Sequence, residues 1–230
     1  MESQSETLRE QYQLRFSELQ EYREQVWQVL CTSYFSRFIH PDAVILDLGA
    51  GWGEFVNHIE AGRKYAMDLN PATPEHLAKD ITFLSQDCSH PWGIEPGTLD
   101  VVFTSNFLEH LYDKPSIERA VAEAHRCLKD GGLFICMSPN MNAVPGAYWN
   151  FWDHHIPLTE QSCVELLRMK GFSIVKCLDR FLPFSMSGGK KSPLFLVRLY
   201  LQLPLLWPLF GKQFLVIGKK NSPQAKKVNE

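Results

Sequence analysis

Residues Val44 to Phe55 read VILDLGAGWGEF. The apolar run Val44–Leu48 has the length of a buried strand and carries one acid, Asp47. Gly49, Gly51 and Gly53 then alternate with Ala50 and Trp52. Glycine adopts backbone angles closed to other residues and lets a ligand lie against bare main chain. A helix starting near Gly53 would aim free N–H groups at the same place. In an open parallel sheet, ligands bind beyond the carboxyl ends of the strands, so this turn is where one is expected. Two phosphate-binding patterns fit it poorly. A dinucleotide loop needs G-x-G-x-x-G or a closing Ala, and Glu54 stands in that last place; no GK[ST] follows, as a P-loop requires. Asp47 and Glu54 would repel a pyrophosphate and suit a ligand with a cationic end.

Around this turn, short apolar runs alternate with helical patterns. Strands are expected at Val44–Leu48, Tyr65–Asp68, Ile81–Leu84, Val101–Thr104, Leu133–Met137, Phe172–Leu178 and Gln213–Gly218. Strands that are apolar on both faces and separated by helices imply a parallel sheet covered on both sides. The fold class is therefore α/β, a doubly wound seven-stranded Rossmann-like sheet whose last strand runs antiparallel. A helix is expected over Pro115–Leu128, stopped by Gly131 and Gly132 in KDGG. Another lies within LTEQSCVELLRMKGF, with Thr159 as cap, Ser162 three residues on, and Gly171 at its end. Apolar residues every three or four positions predict one long helix over residues 6–38. The organisation expected is an N-terminal helical cap (1–40), a main domain (41–220) with an apolar helical insertion (182–211), and a disordered basic tail (221–230).

The net charge of −3 conceals an asymmetry. Residues 180–230 hold nine Lys or Arg and one acid, a net of +8, which leaves −11 on the remaining 179 residues. An acidic body argues against a nucleic-acid partner. Six cysteines form no CxxC and are expected to be buried free thiols in a reducing compartment. MESQSETLRE at the start has no apolar signal region, so a cytoplasmic location is expected, with the inner face of a membrane as a possible site.

DLGAGWG, Asp47 to Gly53, followed by YAMDLNP and FLSQDCSH, resembles the class I S-adenosylmethionine (SAM)-dependent methyltransferases over about residues 40–220. The resemblance implies that SAM is the cofactor. It implies that Gly49, Ala50, Gly51 and Gly53 lie against its methionine and ribose part, with Asp47 shaping the loop. Asp68, with Leu69, would hold the ribose hydroxyls, Asp87 would meet the adenine amine with Cys88 beside it, and Asn106 would line the pocket. At the fourth strand, methyltransferases acting on exocyclic base amines carry [DNS]-P-P-[YFW]. Here Ser105, Asn106, Phe107 and Leu108 stand instead, which again speaks against nucleic acid. Glu109 and His110 resemble a pair found in many small-molecule methyltransferases; His110 is expected to order the site and touch the substrate. YREQVWQVLC, SNFLEHL, YWNFWDHHIPLT and LVRLYLQLPLLWPLFGKQFLVIGKK are similar to a bacterial subgroup associated with polysaccharide or cell-surface glycan clusters. The expected function is methyl transfer to a hydroxyl of a small-molecule or glycan acceptor. A SAM-binding interaction protein without turnover is one alternative. A nicotinamide-dependent sugar oxidoreductase is another, weakened by Glu54.

The loop after the fifth strand, SPNMNAVPGAYWNFWDHHIP, gathers Tyr148, Trp149 and Trp152 beside Asp153, His154 and His155. Aromatic faces suit sugar rings, so Tyr148, Trp149 and Trp152 are expected to bind substrate. An oxygen acceptor must lose its proton, a task suited to histidine. His155, with His154 as its rival, is the expected base. No metal is expected: adjacent histidines rarely reach one ion, and no further ligand is spaced to help.

Residues 193–210, PLFLVRLYLQLPLLWPLF, are shorter than a membrane span and broken by Arg198, Gln202, Pro204 and Pro208. Lysines flank them. The expected alternatives are a helix buried against the core, an oligomer contact, or peripheral membrane contact through 190–212 that would suit a lipid-linked glycan.

Overall fold

The computed structural model describes residues 7, 9–10, 12–15, 17–183 and 191–222. Seven strands form one sheet: β1 (Val44–Leu48), β2 (Arg63–Met67), β3 (Ile81–Leu84), β4 (Leu99–Ser105), β5 (Leu128–Pro139), β6 (Phe172–Leu178) and β7 (Gln213–Lys220). Their order is β3-β2-β1-β4-β5-β7-β6. β1 to β5 run parallel, and β7 runs antiparallel between β5 and β6. Strand order reverses between β2 and β4 on either side of β1, which leaves the ligand crevice at the end of β1.

Each face of the sheet buries its own apolar layer. On one side, α1 (Gln20–Ser33) sends Val26, Trp27, Val29, Leu30 and Cys31 inward, spaced as one helical face. Trp27 and Phe35 meet Phe103 of β4 edge-on at 6.0 and 5.1 Å, and Phe55 stacks on the same ring at 3.6 Å. Phe55 belongs to α2 (Glu54–His58), the short helix that follows the glycine turn. A further short helix, α3 (Thr73–His76), follows β2. On the other side, α4 (Lys114–Cys127) buries Ile117, Ala120, Val121, Ala124 and Cys127. α5 (Glu160–Met169) adds Cys163 and Leu167. Asp113 caps α4, its carboxylate accepting from the Ser116 N–H at 2.7 Å. Thr159 and Ser162 close a reciprocal capping box on α5.

Three expectations change, and one of the alternatives for the insertion falls away. The KDGG glycines do not stop α4, which ends at Cys127 where Leu128 turns extended. They lie inside β5, where residues 129–132 face the single residue Asp100 between the pairs Leu99–Leu128 and Val101–Leu133. Gly131 takes φ +79°, and a Cβ on Gly132 would fall 2.9 Å from the Lys129 carbonyl oxygen. The N-terminal helix is not continuous: Ser17–Leu19 is a 3-10 turn that separates α1 from the helical residues among 7–15. Leu8 and Phe16, used in that periodicity, lie outside the described residues. Five cysteines are buried, as expected, but Cys177 is exposed, and none is bridged. The insertion holds α6 (Leu194–Gln202) and α7 (Trp207–Phe210), and α6 is not buried all round: Phe195 and Leu199 are exposed. Residues 184–190 of that insertion and 223–230 of the expected tail lie outside the described residues. No helix among the described residues is long and apolar enough to cross a membrane.

The aromatic layer should dominate stability. Phe103→Ala should lower the unfolding free energy by about 3–5 kcal/mol in urea titrations. Asp113→Ala, which removes only a helix cap, should cost about 1 kcal/mol. Equal costs for the two would show that the ring cluster is not the keystone of this face.

Candidate active site

At the end of β1 the chain turns through three left-handed glycines, Gly49, Gly51 and Gly53, with φ of +74°, +55° and +77°. A Cβ on Gly49 would overlap the Phe107 ring at 2.1 Å. The turn is tied to β2. The N–H groups of Gly49 and Ala50 donate to the Met67 carbonyl at 2.9 and 3.1 Å. The Gly51 N–H donates to Asp68 Oδ2 at 2.8 Å. The Asp68 carboxylate also accepts from the Asn70 N–H at 2.8 Å. Burial pushes Asp68 upward, and the Asn70 and Gly51 N–H groups oppose that.

A cleft of about 590 Å³ opens over this turn. Asp47, Gly49, Ala50, Gly51, Asp68, Leu69, Asp87, Cys88 and Asn106 line it, so nearly the whole expected cofactor set meets in one place. Gly53 is the exception. It caps α2 from outside the lining, and a Cβ there would strike Leu77 at 2.6 Å, so its part is to shape the turn. Asp87 lies at the cleft with its Oδ1 accepting from the Ser89 N–H at 2.8 Å.

The carboxylates here are less exposed as charges than the sequence suggests. Glu54 is paired with Arg23, at 2.8 Å from Nε and 2.6 Å from the terminal nitrogen. Asp47 is buried, and burial together with the Glu54 and Asp68 charges pushes it well above the carboxylate range. The repulsion of a pyrophosphate is thus weaker than a count of acids implies, and the backbone geometry carries more of the discrimination.

Asn106 has a left-handed backbone with φ 50°, unusual for a residue with a side chain. Its Nδ2 donates to Ser105 Oγ at 3.0 Å, while its buried Oδ1 has no protein partner. A strained residue offering an unsatisfied acceptor to a cleft is a mark of ligand contact. With the bare glycine turn and the Asp68 and Asp87 carboxylates, it gives the acceptors that a ribose, an amine and an ammonium group need.

Beyond the cofactor end, the fold joins two residues far apart in sequence. Nδ1 of His110 lies 2.9 Å from the Asp153 carbonyl oxygen and 3.2 Å from Asp153 Oδ2. Arg15 grips the same carboxylate with two donors at 2.5 and 2.9 Å. Burial alone would lower His110, but the Asp153 hydrogen bond and the Glu109 and Asp153 charges raise it above the ordinary histidine value. Burial alone would raise Asp153, but His110 and Arg15 hold it well below the carboxylate range.

The carboxylate beside His154 and His155 therefore serves His110 instead. His154 is buried, its Nδ1 has no partner, and burial lowers it to about 4, which makes it a weak base. His155 is exposed on the cleft lining, with its ring 4.6 Å from that of Tyr112. Of the expected substrate aromatics, Trp152 lines the cleft and is 90% exposed. Tyr148 does not: it is fully buried, and its hydroxyl donates to the Ile156 carbonyl. Trp149 is half exposed and stands outside the lining. Tyr12, Arg15, Arg23 and Tyr112 line the cleft without any local sequence signal.

Glu109, His110 and His154 bring one ligand atom each within 4.8 Å and could hold a metal ion. This differs from the set Asp153, His154 and His155 considered from sequence, which is not brought together among the described residues. Glu109 is fully buried, with Oε2 accepting from Ser138 Oγ at 2.9 Å and Oε1 unpartnered, and burial raises it. The backbone oxygen of Glu109 accepts from the N–H groups of His155 and Ile156 at 2.8 and 3.2 Å, so this residue also fixes the histidine loop.

Residues 46–136 match the methyltransferase-domain family. Sarcosine/dimethylglycine N-methyltransferase of Halorhodospira halochloris is 28% identical over 122 residues, 46% of this chain and 41% of that protein. The matched stretch thus spans less than half of that curated relative. A SAM-dependent methyltransferase from Archaeoglobus fulgidus superposes with a TM-score of 0.65 at 20% identity, covering 89% of this chain and 99% of the other. The N-methyltransferase NodS of Bradyrhizobium japonicum, solved with S-adenosylhomocysteine, superposes with a TM-score of 0.59 at 15% identity, each chain covered to 87%. Sheet order, glycine turn, carboxylates and the match over residues 46–136 agree in supporting a class I SAM-dependent methyltransferase domain, with SAM as its cofactor.

Proposed function

We propose that the protein methylates a hydroxyl of a small-molecule or glycan acceptor, and that His110 takes the acceptor's proton. The observation that carries this reading is the Asp153–His110 pair on the wall of the cofactor cleft. SAM supplies an electron-poor methyl carbon on a good leaving group, so the chain has chiefly to align and deprotonate. Gly49 to Gly51, Asp68, Asp87 and Asn106 would hold the cofactor. Asp153 fixes the His110 ring through Nδ1, which leaves Nε2 as the proton acceptor. Arg15 and Asp153 hold each other, so the N-terminal segment steadies the base. His155 and the exposed faces of Trp152 and Tyr112 form a rim able to contact a sugar.

The glycan and its possible lipid link, a cytoplasmic location at a membrane face, and the organisation into cap, domain and insertion remain parts of this proposal. The acceptor class draws support from the exposed aromatic rim and from the sequence resemblance to glycan-associated methyltransferases. An amine acceptor is the second reading. It is favoured by the two relatives named as N-methyltransferases. His110 would serve it equally, because an ammonium must also lose a proton before attack.

His110→Ala should lower kcat by about 100-fold or more while S-adenosylhomocysteine affinity by calorimetry stays near wild type. An equal loss in His155→Ala but not in His110→Ala would move the base to His155. Mass-spectrometric location of the incorporated methyl group decides between oxygen and nitrogen.

The pH profile gives a separate test. The base works unprotonated, and the Asp153 charge favours the protonated form. Activity should therefore rise with pH through a value above about 6.5, the ordinary histidine pKa. Asp153→Asn removes the charge, so its rising limb should move to lower pH. A limb unmoved, or moved upward, would dissociate Asp153 from the titrating group. Finally, Asp68→Ala should weaken S-adenosylhomocysteine binding about tenfold or more, read in the same calorimetric titration.

A further inference from the structure

α6 is anchored on one side only. Leu194, Val197, Tyr200 and Leu201 pack into the core beside α1. The Tyr200 hydroxyl donates to the Phe181 carbonyl at 2.6 Å, and Trp207 Nε1 donates to the Tyr200 carbonyl at 2.9 Å. Tyr22 of α1 clasps Ser192, accepting from its N–H at 2.9 Å and donating to its carbonyl at 3.1 Å. The segment is therefore displayed on a fixed frame. Its outer side is apolar. Seven large apolar side chains at least 40% exposed fall within residues 195–210, half of the fourteen found among the described residues. Leu205, Leu209 and Phe195 are the most open, at 89%, 71% and 66%. Single exposed leucines are ordinary, but a contiguous cluster marks a contact surface.

The charge around this cluster identifies what covers it. Lys191, Arg198 and Lys212 are exposed beside it, and no Asp or Glu occurs from residue 180 to 222. An apolar segment that carries cations and no acid of its own matches the headgroup and upper acyl layer of an anionic membrane. A second copy of the chain would bring the same cations against these. Pro204 and Pro208 break the segment, so it suits lying in a surface rather than crossing one.

Position relates the face to the cleft. α7 ends at Phe210, and β7 starts three residues later at Gln213, which lines the cleft and pairs with Pro139 at the carboxyl end of β5. The apolar face and the cleft thus share one edge of the sheet.

We propose that the outer face of residues 195–210 docks on an anionic lipid surface, setting the cleft beside an acceptor held in that surface. The docking does not depend on the identity of the base or on methyl transfer. Full-length protein should co-sediment with vesicles in which phosphatidylglycerol replaces part of the phosphatidylcholine, and far less with phosphatidylcholine alone. The double variant Leu205→Glu/Leu209→Glu should lose that binding about tenfold or more, with S-adenosylhomocysteine affinity unchanged as proof of folding. Lys212→Glu should weaken it about fivefold or more, since one cation near such a surface contributes about 1 kcal/mol. Three outcomes would overturn the proposal: no binding to either vesicle, equal binding by the double variant, or a wild-type dimer that the double variant dissociates.

Discussion

The site depends on a carboxylate holding a bare stretch of main chain. Asp68, just beyond β2, accepts the Gly51 N–H across the end of β1. Two further N–H groups of the turn donate to the last carbonyl of β2. These bonds fix Gly49 and Gly51 in left-handed angles that few residues with a side chain adopt cheaply, and Gly53 donates to the Ala50 carbonyl within the same turn. The cost of that conformation is met by the strand pairing beneath it, because β1 is central and bonded on both sides. A surface that admits a cofactor thus rests on a strand paired on both sides.

A second constraint joins the acceptor side to the N-terminus. Asp153 binds His110 and Arg15 together, so one carboxylate ties the loop after β5 to the turn after β4 and to the first helical residues. Tyr12 from the same N-terminal stretch lies against Gly51, whose Cβ would approach the Tyr12 hydroxyl oxygen to 2.8 Å. Burial of that hydroxyl, with the Asp68 and Glu54 charges beside it, keeps it protonated. The break at Ser17–Leu19 lets these residues lie over the cleft while α1 packs on the sheet.

Much of this was legible because the signals were local. Val44–Leu48 reads as a central strand since both its faces are apolar, and it is one. Asp68 directly follows β2, and Asp87 stands three residues beyond β3, in the order that the family resemblance expects. What was illegible depends on pairings across the chain. His110 and Asp153 are 43 residues apart, and nothing between them announces their bond. Arg15 and Asp153 are 138 apart. Tyr148 looks like a substrate contact beside Trp149 and Trp152, but its hydroxyl finds a carbonyl eight residues on and the ring turns into the core. KDGG misled for a different reason. Positive φ serves a helix stop and a strand bulge equally, and only the partner strand at Asp100 decides between them. The outer face of α6 was ambiguous because a fully buried helix and a half-exposed one share the same apolar composition.

The most direct measurement is competition calorimetry of the purified chain against S-adenosylhomocysteine and NAD. Saturable binding of S-adenosylhomocysteine, unaffected by NAD, is the result that a glycine turn held by Asp68 predicts. Binding of NAD with no response to S-adenosylhomocysteine would contradict it.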